Sequence, residues 1–278
     1  MKYYLETNAI RHLSKYLGKL SNECIFTSYL TIFELLSGIV DNKSFIVRKN
    51  ILKSVIDSKI EIDWSTLKER LHHAHKIDYF DKEKIIAQIM VDIVLESESY
   101  EQLDELSEKK GFQYRIESFQ LLDQEISEAG INESKENIKS FKESNDKIQK
   151  KRIKEELIYD EKIYSYAQLN REIIQMNIIK DMTETSRILK RDLYLKILEN
   201  YDESLDSYFY VSAYKHSISG ILGQIYAKND TVDIAHLVYV DENTTIVSDD
   251  KIFGNLSKDT KKFSALSIEE FKKEFKLN

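Results

Sequence analysis

The chain has 278 residues, no proline and one cysteine, and its 41 basic against 48 acidic residues leave a net charge of −7. A content of 42% hydrophobic residues excludes a chain disordered throughout, and the missing prolines exclude collagen-like or proline-rich recognition segments. Cys24 alone cannot build a disulfide framework or a cysteine-ligated zinc site, and its apolar neighbours Ile25 and Phe26 predict a small buried hydrophobe.

Residues Lys2–Glu6 read as a short strand, followed from Asn8 by a helix with Ile10, Leu13 and Leu17 on one face. Cys24–Thr27 reads as a second strand. A helix through Thr31–Val40 carries Ile32, Leu35, Leu36 and Ile39 as its apolar stripe, and another covers Ile46–Ser58. Lys59–Trp64 alternates as a short strand or an extended linker.

From Ser65 the pattern turns helical, over 66–75, 82–108, 116–128, 132–160, 165–200 and 204–226. The absence of proline suits such a stretch, since proline inside a helix costs roughly 3 kcal/mol. Ile131–Lys162 is laced with charges of both signs, as in an exposed helix or helical hairpin. The tyrosine-rich run at 208–214 reads as a packed helix face. Strand and helix then alternate again: helix at Asp230–Tyr239, strand at Thr244–Ser248, helix at Lys251–Leu256, strand at Phe263–Leu266 and helix at Ile268–Phe275. Two α/β segments flanking a helical middle predict one discontinuous α/β domain, 1–64 with 210–278, interrupted by an all-helical insertion over 65–209.

Acidic residues fall at the ends of these elements. Glu6 ends the first strand, Glu34 lies in the helix after the second, Asp230 and Asp233 open a later helix on one face, and Asp249 and Asp250 follow the strand TTIV. In open parallel sheets, ligands gather at the carboxyl ends of strands. Clustered carboxylates would repel each other without a cation, and Mg²⁺ or Mn²⁺ prefers oxygen ligands. Placement alone leaves the commoner role open as well, since acids at helix starts usually cap the helix or favour its dipole.

Taken together, LETNAI at 5–10, SYLTIFELLSG at 28–38, NDTVDIAHL at 229–237 and IVSDDKIF at 246–253 resemble, in order, the acidic motifs of the PIN-like domain nuclease superfamily. The resemblance covers residues 1–64 and 210–278. It implies a central, mostly parallel sheet flanked by helices. It also implies Mg²⁺- or Mn²⁺-dependent phosphodiester hydrolysis, with Glu6, Glu34, Asp230 and Asp250 as catalytic and metal-binding acids. Asn8, Ser248, Asp233 and Asp249 would support them. The implied partner is nucleic acid, RNA before DNA, and a toxin or defence role, a protein regulator or antitoxin and a homodimer follow from the family's habits.

Two departures stand beside the resemblance. Glu6 occupies the place of the usual Asp, and the compact toxin members lack so large a middle insertion. An inactive PIN-like scaffold binding RNA or protein, and a structure-specific DNA nuclease, are the alternatives. Arg11 and Lys251 near the acids, and Arg187 and Arg191 in the middle region, are candidate phosphate contacts. Lys150, Lys151 and Arg152 form another local basic group. His72 and His75 share a helix face, read as a polar or nucleic-acid-contacting surface rather than a zinc site. The N-terminus has no apolar leader and no 18-residue apolar run occurs, so the expected setting is cytoplasmic, without a membrane.

Overall fold

Strand β1 (Lys2–Leu5) is followed by helix α1 (Thr7–Leu13), a 3-10 turn (Ser14–Lys19) and β2 (Ile25–Ser28). The computed structural model describes residues 1–20, 24–58, 60–144, 160–186, 195, 197 and 199–277. Helices α2 (Tyr29–Ser37) and α3 (Asn42–Ser58) lead to β3 (Glu61–Asp63). After a long helical stretch come β4 (Thr244–Val247), a helix over Lys251–Thr260, β5 (Ser264–Leu266) and a last helix over Ile268–Glu274. Among the described residues all four strand pairings are parallel, in the order β3-β2-β1-β4-β5.

That order follows from burial. The residues of β2 and β4 are buried throughout, and β1 is buried after Lys2, as expected for parallel strands covered on both faces. The outer strands β3 and β5 are only three residues long and partly exposed, which limits the unpaired edge they present. In register, Tyr4 lies opposite Phe26 on one side and Ile246 on the other.

Between β3 and β4 the described residues form α4 (Leu67–His73), α5 (Lys82–Glu96), α6 (Gln102–Lys109), α7 (Ile116–Ser144), α8 (Asp160–Ser186), α9 (Asp206–Leu222) and α10 (Asp230–Ala235). The fold is therefore a five-stranded parallel sheet flanked by helices and interrupted by a large helical segment. The stretch 82–108 divides at Ser97, whose backbone N–H and hydroxyl both close back on Ile93. The predicted break near residue 130 is absent, and α7 runs through it.

The chain forms two compact units. The sheet unit comprises 1–66, 81–126 and 242–278, so α5 and α6 belong with the strands; Met90, Ile93 and Val94 join Leu5, Ile10, Leu35 and Val247 in one core. The helical unit comprises 67–80 and 127–241. In it α8 packs on α9, and Phe209, Tyr210, Val211 and Ala213 are buried, the packed face read from the tyrosine-rich run. Cys24 is half-exposed rather than buried, because it sits on the turn entering β2 and not in the strand. Lys150, Lys151, Arg152, Arg187 and Arg191 lie outside the described residues.

Candidate functional site

The carboxyl edge of the sheet collects one end of each central strand. β1 sits between β2 and β4, and the connections from β1 leave toward β2 and β3 while the chain returns on the other side as β4 and β5. The switch in winding direction falls between β1 and β4, where open parallel sheets form a ligand crevice. Glu6 follows β1 directly, and Ser248, Asp249 and Asp250 follow β4.

Glu6 is 3% exposed and serves as the N-cap of α1: its carboxylate accepts the backbone N–H of Asn8 at 2.6 Å and of Ala9 at 3.0 Å. Such charge-assisted bonds satisfy donors that a helix start leaves without partners. Asn8 is the second residue of the helix, and Glu6 rather than Asn8 is its cap. The Oδ1 of Asn8 is a buried acceptor without a hydrogen-bond partner among the described residues.

The motif SYLTIFELLSG has a structural reason at each end. Ser28 caps α2 by accepting the Thr31 N–H, and its hydroxyl also bonds the Tyr4 hydroxyl at 2.6 Å. Glu34, half-buried, accepts a short hydrogen bond from the Thr7 hydroxyl, which ties α2 to the start of α1. At Gly38 a Cβ would overlap the guanidinium of Arg48, which lies across that glycine and donates from Nη1 to the Glu34 carbonyl at 2.9 Å. Burial lowers the proton affinity of Arg48, the positive charge of Arg11 lowers it further, and Glu34 and Asp123 act the other way. Thr7 and Arg48 escaped the sequence reading; the glycine four residues beyond Glu34 was the one trace of Arg48, marking a close approach with no indication of what approached.

After β4, the Ser248 hydroxyl accepts the Asp250 N–H at 2.9 Å and Asp249 accepts the Ile268 N–H at 2.9 Å. Asp249 thereby ties the chain after β4 to the start of the last helix through one carboxylate oxygen. Asp250 begins the helix over Lys251–Thr260 without a side-chain cap, and its exposed carboxylate makes no hydrogen bond or ion pair among the described residues. Lys251 and Arg11 are exposed.

Asp230 and Asp233 belong to the helical unit. Asp230 pairs with Lys215 at 2.9 Å, their side chains 14% and 23% exposed, and accepts the Ala227 N–H at 3.1 Å. His72 and His75 also lie in this unit and are 2% and 1% exposed, which overturns their reading as a polar or nucleic-acid-contacting face. Each Nδ1 lies 2.7 Å from the carbonyl four residues back, His72 stacks on Tyr79 at 4.0 Å, and His75 lies 5.1 Å from Tyr201. Packing against the rings of Tyr79 and Tyr201, not solvent, sets their surroundings. A cavity of about 560 Å³ opens among Asn137, Tyr166, Asn170, Tyr208, His216 and Tyr226 in the same unit.

Among the described residues, no group of three or more His, Cys, Asp or Glu side chains is arranged to hold a metal ion. No described helix is long and apolar enough to cross a membrane. The fold and the edge define the class: a parallel α/β sheet with acids at its carboxyl edge. No protein-family model, curated protein or solved structure matches the chain.

Proposed function

We propose that the sheet unit is the catalytic body of a PIN-like, Mg²⁺- or Mn²⁺-dependent endoribonuclease. The observation that carries this reading is the position of Glu6, Glu34 and Asp250, each following a central strand toward the same edge, with the winding switch between β1 and β4. The donor chemistry suits a hard cation. Glu34 and Asp250 offer carboxylate oxygen, and the buried Oδ1 of Asn8 is an acceptor still open to a water or an ion. Mg²⁺ keeps several waters and takes only one or two carboxylates directly, so a set short of three converging acids meets its needs.

Glu34 and Asp250 would hold the ion, with Glu6 reaching it at most through a water, and the ion would supply an ionised water and neutralise charge developing on a phosphodiester. The chain's own residues do the positioning. The Thr7 hydroxyl orients the Glu34 carboxylate. The backbone of α1 fixes Glu6. Ser248 sets the turn that turns Asp250 outward while Asp249 is occupied with the Ile268 N–H. Asp230 stands apart from this set, its carboxylate engaged with Lys215 inside the helical unit.

A second reading, a PIN-like scaffold that binds RNA without cutting it, is favoured by one observation: both oxygens of Glu6 are already used as a helix cap. RNA and DNA substrates assayed with Mg²⁺, Mn²⁺ or chelator separate the two. The nuclease reading expects RNA cleavage that needs the metal and falls about 100-fold or more in Glu34→Gln and in Asp250→Asn. RNA retained but uncut under every metal, or cutting indifferent to both substitutions, would sink it. Cleavage of structured DNA in place of RNA would move the substrate, and whether expression arrests growth tests a toxin role.

A further inference from the structure

The segment 7–19 carries Arg11, Lys15 and Lys19 and no acidic residue, in a chain whose net charge is −7. Its cations are gathered rather than dispersed. Lys15 lies 4.8 Å, Lys19 5.8 Å and Lys272 5.6 Å from the centre of one ring, that of Tyr16. None of the three forms an ion pair with a carboxylate among the described residues, although nearby Lys273 does, with Glu269 at 2.9 Å. Three ammonium groups around one ring repel each other, and a ring face offsets only part of that cost, about 0.5–1 kcal/mol for each exposed contact.

The cluster continues toward the candidate site. Arg11 stands one turn beyond Thr7 on α1, hence on the same helix face, and Thr7 bonds Glu34. The 3-10 turn carrying Lys15 and Lys19 packs on α3, the helix that supplies Arg48. Arg11 likewise forms no ion pair among the described residues. From Arg11 to Lys19 the backbone advances about 15 Å, a cationic strip with an aromatic ring in its middle.

We propose that Arg11, Lys15, Lys19 and Lys272, arranged around Tyr16 and continued by Arg48 beside Glu34, form the track on which the phosphate backbone of a single-stranded RNA lies as it reaches the site. The track extends the nuclease reading and takes from it the strand as ligand. Phosphates offset the mutual repulsion of the cations that Tyr16 gathers, and a row of such contacts holds a single strand without regard to sequence.

The test uses the full chain with chelator, so that RNA binds but stays intact, and a short fluorescent single-stranded oligoribonucleotide as probe. The variant Lys15→Met/Lys19→Met/Lys272→Met is expected to bind about tenfold or more weakly at low salt. Its slope of log Kd against log salt should be lower by about 2, for three lost contacts near 0.7 each. Arg11→Met, at an exposed position, should weaken binding with unchanged thermal unfolding. Wild-type affinity and slope in the triple variant would overturn the track, as would polyglutamate binding as tightly as RNA with the same losses, which would mark a protein-docking surface. Cleavage is read separately. Binding lost in the lysine variants without any metal-dependent cutting by wild type keeps the track and removes the nuclease; normal binding with intact cutting does the reverse.

Discussion

The two units of this chain use side chains of similar chemistry to different ends. In the sheet unit, Leu5, Ile10, Leu13, Leu35, Leu52 and Val247 are wholly buried, and its acids Glu6 and Asp249 are bound to backbone N–H groups. In the helical unit, Tyr166, Leu169, Ile173 and Met176 follow one face of α8 at roughly half exposure, and polar groups are buried beside aromatic rings. A parallel sheet covered on both faces forces close packing, whereas a helix needs only one stripe covered to be stable. The strands hold the acids beside them still, while α8 keeps an apolar row at the surface.

Core truncation should mark that contrast most strongly. Leu52→Ala is expected to destabilise the sheet unit by about 2–5 kcal/mol, read by hydrogen exchange resolved unit by unit; Ile173→Ala, at a residue 50% exposed, should stay within about 0.5 kcal/mol. Equal losses would erase the difference between the units. Removing the cap by Glu6→Ala should cost about 0.5–2 kcal/mol in denaturant unfolding, with faster exchange confined to the first turn of α1. Exchange unchanged there would show that the carboxylate serves something other than the helix.

The smallest effect concerns acid. Burial holds His75 below its ordinary pKa; Arg171 adds to this, while the bond to the Leu71 carbonyl and the charge of Asp202 oppose it. A group whose folded pKa is lowered binds fewer protons folded than unfolded. Its contribution is therefore complete above the unfolded value near 6.5 and declines as pH falls below it. Protection in the helical unit should thus weaken between neutral pH and pH ~5, and His75→Gln should flatten that dependence. A slope unaffected by the substitution would place the acid sensitivity elsewhere.

Much of the fold was legible residue by residue. Alternation and apolar runs located four of the described strands within a residue or two and left 59–64 open between strand and linker, because only the central parallel strands, buried on both faces, leave nearly continuous apolar segments. Helix ends were less legible: α7 crosses the predicted gap near 130, and α5 stops at Ser97 through a backbone closure that has no strong sequence sign. His72 in α4 and His75 in the turn after it were misplaced because periodicity shows that two residues share a face but not which way it turns.

By itself the sequence determined the element order, the parallel α/β class with its helical interruption, and the acids that terminate central strands. Only the tertiary structure decided which helices join the sheet's core, that Glu6 caps α1, that Asp249 rather than Asp250 bonds the start of the last helix, and that Arg48 lies over Gly38. The physical reason is range. Strand and helix patterns are set by neighbours a few residues away, while the partner of a carboxylate or a guanidinium is chosen by whatever the folded chain brings beside it.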